Sequence, residues 1–379
     1  MVPLLDLKRT HASIQSDLET AAQRVLRSGG YVLGPEADAL EVELAAYTET
    51  PHAVACASGS DALLLALMTL GIGPGDAVIT TPYTFFSTVS NLTRLGIEVR
   101  FADIDPGTYN LDAAKLTPEL AAGAKVVMPV HLFGQMADMD AVAAYAEEHG
   151  LQLIEDAAQS LGAKWNGRPA GSWSAIAATS FYPTKNLGGF GDGGACLCSK
   201  EDWAARMKVL RNHGMEPKYH HPFVGVNSRL DAIQAALLRV KLPHLDAYAE
   251  ARRGTARRYR ERFAEAGLAL EAGAFSETAQ GIVLPVELPL AEHVYNQFTI
   301  RAPRRDALMA HLKEHGIGCE IYYPIPLHLQ ECFDFLGYKE GDFPVAESAA
   351  KTSLALPSFG ELTDAEIDEV VGAVASFYA

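Results

Sequence analysis

Leu151-Gln152-Leu153-Ile154-Glu155-Asp156-Ala157-Ala158-Gln159-Ser160 runs from a short apolar stretch into two acids. Ser180-Phe181-Tyr182-Pro183-Thr184-Lys185-Asn186-Leu187-Gly188-Gly189 runs from a second one into a lysine and a Gly-rich turn. Both read as buried strands that stop where a polar residue appears. In open α/β sheets the carboxyl ends of strands form the rim on which ligands sit. Asp156 and Lys185 are therefore expected on one rim.

Outward from these stretches, apolar runs and helical patterns alternate from about residue 50 to 240, as in a mostly parallel sheet covered by helices. Seven strands are expected: Ala53–Cys56, Val78–Thr81, Val99–Ala102, Lys125–Pro129, Gln152–Glu155, Ala177–Tyr182 and Ala195–Ser199. Helices are expected at Ser60–Leu70, which meets the stop Gly71-Ile72-Gly73-Pro74-Gly75, and at Met139–His149. An apolar helix over Leu230–Leu245 leads into Arg252-Arg253 and Arg257-Arg258-Tyr259-Arg260, read as a solvated basic face. Beyond it, strands at Val294–Arg301 and Gly318–Tyr323 and helices at Arg305–His315 and Ala365–Phe377 make a smaller α+β unit. The fold class is α/β: a large domain over residues 1–245 with a mostly parallel seven-stranded sheet, and a small C-terminal domain over residues 246–379.

Composition narrows the functions. Of 379 residues 49% are hydrophobic, enough for a sizeable core, which excludes a disordered chain. Lys and Arg number 31 against 47 Asp and Glu, a net charge of −16 that repels phosphate backbones and anionic lipid, so no nucleic acid and no membrane partner is expected. Asp6, Lys8 and Arg9 interrupt any apolar leader, and five scattered cysteines suit a reducing compartment, so the expected location is cytoplasmic. Cys196 and Cys198 fall on one face of a strand without a second ligand pair, which reads as core rather than metal.

The chemistry rests on Asp156 and Lys185. A lysine on a rigid, partly desolvated turn has a lowered pKa and can form a Schiff base with a carbonyl cofactor. An acid that keeps a pyridinium nitrogen protonated completes the pairing expected for pyridoxal 5'-phosphate (PLP). Gln159 can donate to the phenolic oxygen of the ring, and Lys185, once displaced, can carry a proton as general base. Ala57-Ser58-Gly59-Ser60-Asp61-Ala62 opens a helix after a strand and offers free N–H groups to a phosphate, with the Ser180 hydroxyl nearby. In Thr81-Pro82-Tyr83-Thr84-Phe85-Phe86, Phe85 is the candidate to stack on the ring. Taken singly each feature has a plainer reading: a helix cap at Gly59-Ser60-Asp61, a turn acid at Asp156, core aromatics at Phe85 and Phe86, a surface lysine at Lys185. Their shared order at successive strand ends is what points to a cofactor.

These motifs resemble the sugar aminotransferases of the DegT/DnrJ/EryC1/StrS family, of the fold type I PLP enzymes. The resemblance runs from Leu7 to the last helix and is carried by Glu155-Asp156-Ala157-Ala158-Gln159-Ser160, Ser180 to Asn186, Gly191-Asp192-Gly193-Gly194-Ala195, Arg211-Asn212-His213-Gly214 and Gly225-Val226-Asn227-Ser228-Arg229-Leu230. It implies that Lys185 binds the cofactor covalently, Asp156 holds the ring nitrogen, Gln159 the ring oxygen, and Gly59, Ser60 and Ser180 the phosphate. It also implies a homodimer with shared active sites, Asn227 reaching the cofactor phosphate held by the other subunit, and Arg229 near the sugar.

Tyr322-Tyr323-Pro324-Ile325-Pro326-Leu327-His328-Leu329-Gln330 looks like the substrate loop of members that aminate the 3-keto position, with Tyr323 and His328 as sugar contacts. The expected reaction moves an amino group from L-glutamate to a nucleotide-diphosphate keto sugar. Lys218-Tyr219-His220-His221 with Arg229 is the expected diphosphate contact. The alternatives are a 4-keto substrate, a non-catalytic PLP-binding relative and a cofactor-free nucleotide-binding module. A pyridoxamine-dependent dehydratase would require Lys185 to be replaced.

Overall fold

Alternating apolar segments that are buried on both faces form the central sheet of the computed structural model, which describes residues 1–271, 275–276 and 278–379. Its strands are β1 (His52–Cys56), β2 (Ala77–Thr80), β3 (Glu98–Phe101), β4 (Ala124–Val127), β5 (Gln152–Asp156), β6 (Ile176–Ser180) and β7 (Gly194–Cys198). The spatial order is β1-β7-β6-β5-β4-β2-β3. Only β7 runs against its neighbours, β1 and β6; the pairings from β6 to β3 are parallel. All seven expected strands are present, each end within two residues of its expected place.

Helix α1 (Gly59–Leu70) covers the sheet with an almost wholly apolar sequence. It ends where Gly71 turns left-handed at φ 72°, and the Gly71 N–H closes on Leu67 and Met68 carbonyls. Cys56, Cys196 and Cys198 are buried in the same core, with Cys196 Sγ directed at the Ala62 carbonyl of α1. Helix α2 (Ser87–Arg94) lies beside α1, tied to it by Asn91 Nδ2, which donates to the Ser60 carbonyl at 2.7 Å.

Helices α3 (Ala232–Lys241) and α4 (Leu245–Glu265) lead out of this body. A second sheet holds β8 (Ala269–Leu270), β9 (Ile282–Val283), β10 (Phe298–Arg301) and β11 (Ser353–Leu356) in that order, covered by α4 and the terminal helix Asp364–Tyr378. Three expectations need correction here. The strand expected from Val294 begins only at Phe298, because Val294 N–H and Gln297 N–H are drawn onto the Gly134 and Phe133 carbonyls of the large body. Gly318–Tyr323 is not a strand: Glu320 alone bridges to Ala355, while Tyr323 N–H goes to the Tyr83 hydroxyl. The basic face of α4 is not uniformly solvated either. Arg252 is buried and its Nη1 donates to the Tyr295, Asn296 and Ser358 carbonyls.

The chain also crosses between the two bodies. Val2 bridges to Ile317 inside the C-terminal core, and Leu327, Phe333, Phe343 and Ala346 join the core of the large body. Among the described residues no helix is long and apolar enough to cross a membrane.

Close backbone contact fixes the rim. Gly194 pairs with Cys56 on one side and Ser180 on the other, and a Cβ there would stand 2.5 Å from the Ser58 carbonyl carbon and oxygen. Gly194→Ala is expected to cost about 2 kcal/mol or more, the usual toll of forcing atoms into a filled space. Chemical denaturation compared with Gly73→Ala, where the added methyl meets nothing within 4 Å, checks this.

Candidate active site

Asp156 ends β5 with only 5% of its surface exposed. Its Oδ2 accepts from Thr88 Oγ1 at 2.8 Å, which α2 supplies, and its Oδ1 accepts from the Ala158 N–H at 3.2 Å. Burial pushes this carboxyl above the ordinary aspartate range. The Thr88 hydroxyl, the Ala158 N–H and the positive charge of Lys185 offset part of that rise.

Beneath it lies a fully buried pair. His131 Nδ1 accepts from the Ala137 N–H, which leaves Nε2 to donate to Glu155 Oε2 at 2.9 Å. Glu155 also receives the Gly171 and Trp173 N–H groups and the Ser174 hydroxyl. Burial opposes its charge, yet the His131 bond and these donors hold it below the ordinary glutamate range.

Lys185 lies on the turn after β6, half-buried, its N–H on the Tyr182 carbonyl. Desolvation lowers its pKa to about 8 against the opposing pull of Asp156. Asp156 and Lys185 are thus close enough to sense one another, each drawn by burial toward its neutral form.

Gln159, in the turn after β5, is fixed at both ends. Its Oε1 accepts from the Phe133 N–H at 2.7 Å, and its Nε2 donates to the Tyr323 hydroxyl at 3.2 Å, with one N–H to spare. Tyr323 is held by its own N–H on Tyr83 Oη at 3.1 Å, and its ring lies 5.9 Å from that of Phe85. Phe85 is 53% exposed and Phe86 44%, so neither is a core side chain; Phe86 stacks on Phe333.

The phosphate candidates converge at the start of α1. Ser58 caps the helix by accepting from the Asp61 N–H, so Asp61 has no N–H left for an anion and contributes a carboxylate to the first turn. The Gly59 and Ser60 N–H groups have no acceptor among the described residues. A Cβ on Gly59 would stand 2.7 Å from Ser180 Cβ, so this helix end rests on the end of β6. Ser60 Oγ meets Ser87 Oγ at 2.5 Å.

The other candidates are dispersed. Asn227 is exposed in a bridge with Asn212, and Arg229 donates to Asn212 Oδ1 at 2.9 Å. Next to them Ser228 Oγ accepts from the Ala57 N–H, which brings this loop beside the phosphate turn. Lys218, Tyr219, His220 and His221 lie exposed on an outer loop. His328, expected at the sugar, is corrected: it is 2% exposed, pairs with Glu347 at 3.0 Å and packs edge-on to Phe343. Sequence reasoning missed Thr88 and His131. His131 had a signal, a polar residue directly after the apolar run of β4; Thr88 had none.

A protonated ring nitrogen would find an oriented acceptor at Asp156, a phosphate would find free N–H groups at Gly59 and Ser60, and a carbonyl would find an amine at Lys185. The residues fit PLP on all three counts. The profile of the DegT/DnrJ/EryC1/StrS aminotransferase family matches residues 12–375. The chain belongs to that family. Among relatives, a "pleiotropic regulatory protein" of Geobacillus stearothermophilus is 46% identical over 100% of this chain and 98% of its own. The dTDP-3-amino-3,4,6-trideoxy-alpha-D-glucose transaminase of Streptomyces venezuelae is 42% identical over 98% and 95%. The crystal structure of S. venezuelae DesV with a ketimine intermediate superimposes with a TM-score of 0.92 at 41% identity, covering 100% of this chain and 98% of that one.

For this family member the Asp156 support is testable without substrate. Thr88→Val keeps the volume but removes the donor, and is expected to cost about 1–3 kcal/mol of folding stability in the cofactor-free protein. Thr88→Ser is expected to restore most of it, both read by chemical denaturation.

Proposed function

We propose that this protein is a PLP-dependent aminotransferase that moves an amino group from L-glutamate to the 3-keto position of a hexose carried on a nucleoside diphosphate. The observation that carries this reading is the half-buried, unusually acidic amine of Lys185 beside the buried Asp156 carboxylate. The S. venezuelae transaminase, whose name specifies a 3-amino sugar, supports the position. The reading takes residues 1–245 as the cofactor-binding body and 246–379 as the smaller one, in a cytoplasmic homodimer.

Each residue has a role in this reading. Lys185 would hold the cofactor covalently, Asp156 its ring nitrogen, Gln159 its phenolic oxygen, and Phe85 its face. Gly59, Ser60 and Ser180 would hold its phosphate, joined by Asn227 of the partner subunit. When bound, PLP supplies an electron sink that stabilises negative charge on the carbon next to the transferred nitrogen. Asp156 keeps that sink strong, since a buried carboxylate gains most by facing a positive charge. Lys185 Nζ, once released by the donor, takes the proton from the α-carbon of glutamate. In the second half it delivers a proton to the sugar carbon that receives nitrogen. Tyr323 and Arg229 would position the sugar, and His328 would stiffen the loop that carries Tyr323.

Lys185 must be neutral to attack a carbonyl. Its neutral fraction rises with pH through the folded value of about 8, below the ordinary lysine value of 10.5, so covalent capture of PLP by the cofactor-free protein is expected to reach half its maximal rate near pH 8. A midpoint two units higher would remove the desolvated-amine argument.

The reaction itself is tested in two halves. Addition of L-glutamate should bleach the absorbance of the bound cofactor, and a nucleotide-linked 3-keto sugar should restore it while the matched 4-keto sugar does not. Lys185→Ala is expected to abolish turnover with the fold intact by circular dichroism. Recovery with the 4-keto sugar alone would move the substrate to that position.

A further inference from the structure

The turn that follows β4 holds a backbone shape that its residues do not favour. Phe133 is left-handed at φ 60° and ψ 2°. Tyr109, whose ring meets the Phe133 ring edge-on at 5.4 Å, is left-handed too, at φ 64°. Residues other than glycine persist in this conformation only where their surroundings hold them, and such places cluster at functional sites. Two N–H groups of the turn reach the site: that of His131 donates to the Asp156 carbonyl at 3.0 Å, and that of Phe133 to Gln159 Oε1 at 2.7 Å.

Asn110 holds this turn at both ends. It is buried; its Oδ1 accepts from the Leu132 N–H at 2.8 Å and its Nδ2 donates to the Gln135 carbonyl at 2.9 Å. One side chain therefore closes the segment that contains Phe133. Asn110 is itself fixed, with its carbonyl accepting from the Asp105 N–H at 2.8 Å and its own N–H on Thr108 Oγ1 at 3.3 Å. The far side of the turn is packed as closely: a Cβ on Gly134 would stand 2.8 Å from the Asn296 nitrogen.

The consequence falls on the amide of Gln159. A side-chain amide has one accepting end and one donating end. The Phe133 N–H can meet only the accepting end, since a flipped amide would set donor against donor in a buried place. That single N–H therefore decides that Nε2 faces the Tyr323 hydroxyl, at 3.2 Å, with its second N–H left for the ring oxygen of the cofactor.

We infer that Asn110 is a positioning residue of the active site. By clamping the turn from Leu132 to Gln135 it fixes the Phe133 N–H, which fixes the Gln159 amide and so the strength of its bond to the phenolic oxygen of PLP. This rests on the transaminase reading above, in which Gln159 holds that oxygen. Asn110 touches neither cofactor nor substrate. Its effect passes through one backbone N–H, which gives it a signature that a general loss of structure lacks.

The signature is the pH at which the absorbance of bound PLP changes. A donor on the phenolic oxygen draws electron density from it, so the proton which that oxygen shares with the Lys185 nitrogen leaves at lower pH; loss of the donor raises the midpoint. Gln159→Ala is expected to raise it by about one unit, a tenfold change in proton affinity. Asn110→Ala is expected to raise it by about half a unit, a threefold change. Asn110→Asp, which keeps the acceptor for Leu132 and loses the donor to Gln135, should move it the same way, and stands in if the alanine variant does not fold. Combined with Gln159→Ala, neither should move the midpoint further, because the amide through which Asn110 acts is gone. An unchanged midpoint in the folded variant overturns the proposal, as does a shift of full size without the Gln159 side chain. Amide hydrogen exchange in the cofactor-free protein separates the clamp from the reading it rests on: Asn110→Asp should speed exchange at Phe133 at least about threefold. Unchanged exchange overturns the clamp. Faster exchange, with wild-type protein that gives no absorbance band with PLP, keeps the clamp and removes the transaminase reading instead.

Discussion

Removal of water from Asp156 and Lys185 at the end of one sheet is the constraint around which the site is built. Desolvation acts on an acid and a base in opposite directions, raising the first and lowering the second, so both drift toward neutrality. A neutral lysine is a nucleophile near physiological pH. A buried aspartate is poorly solvated, so a cation placed against it gains more than it would in water. The Thr88 hydroxyl and the Ala158 N–H limit the cost by giving the carboxylate fixed hydrogen bonds, and they also orient it. The His131–Glu155 pair below is satisfied from every side and forms a rigid polar floor under β4 and β5.

The cradle at the start of α1 depends on a different economy, that of backbone approach. Gly59, Ser180 and Gly194 meet so closely that no side chain fits between the helix end and the sheet. That contact sets the first turn of the helix, with its unpaired N–H groups, against Ser180 at the end of β6, and the partial positive charge of a helix end attracts an anion. Small residues here therefore set geometry rather than merely permitting flexibility.

The two bodies are joined by buried polar contacts rather than by a linker. Tyr83 is fully buried and reaches the Tyr322 carbonyl, the Tyr323 N–H and Ser353 Oγ, so the loop that brings Tyr323 to Gln159 is fixed from the large body. Arg252 in α4 acts within the smaller body, capping the carbonyls of Tyr295, Asn296 and Ser358. A cleft walled by both bodies follows, with the lysine turn at its base.

Periodicity and local chemistry in the chain were enough for the seven strands, the helix opened by Gly59, and the acid and lysine on one rim, because each depends on neighbours a few residues away. Strand ends came within two residues for the same reason. What lay beyond reach were contacts between distant segments. Thr88 sits 68 residues from the carboxylate it supports, and nothing near it in the chain marks that partnership. His328 has the composition of a substrate contact, yet Glu347 and Phe343 enclose it. Gly318–Tyr323 has the residues of a strand, but stronger partners at Val2 and Tyr83 take its N–H groups. Arg252 reads as one more solvated arginine until folding surrounds it with carbonyls. In each case burial and pairing are set by which surfaces meet, and a linear pattern carries the tendency of a segment without its partner.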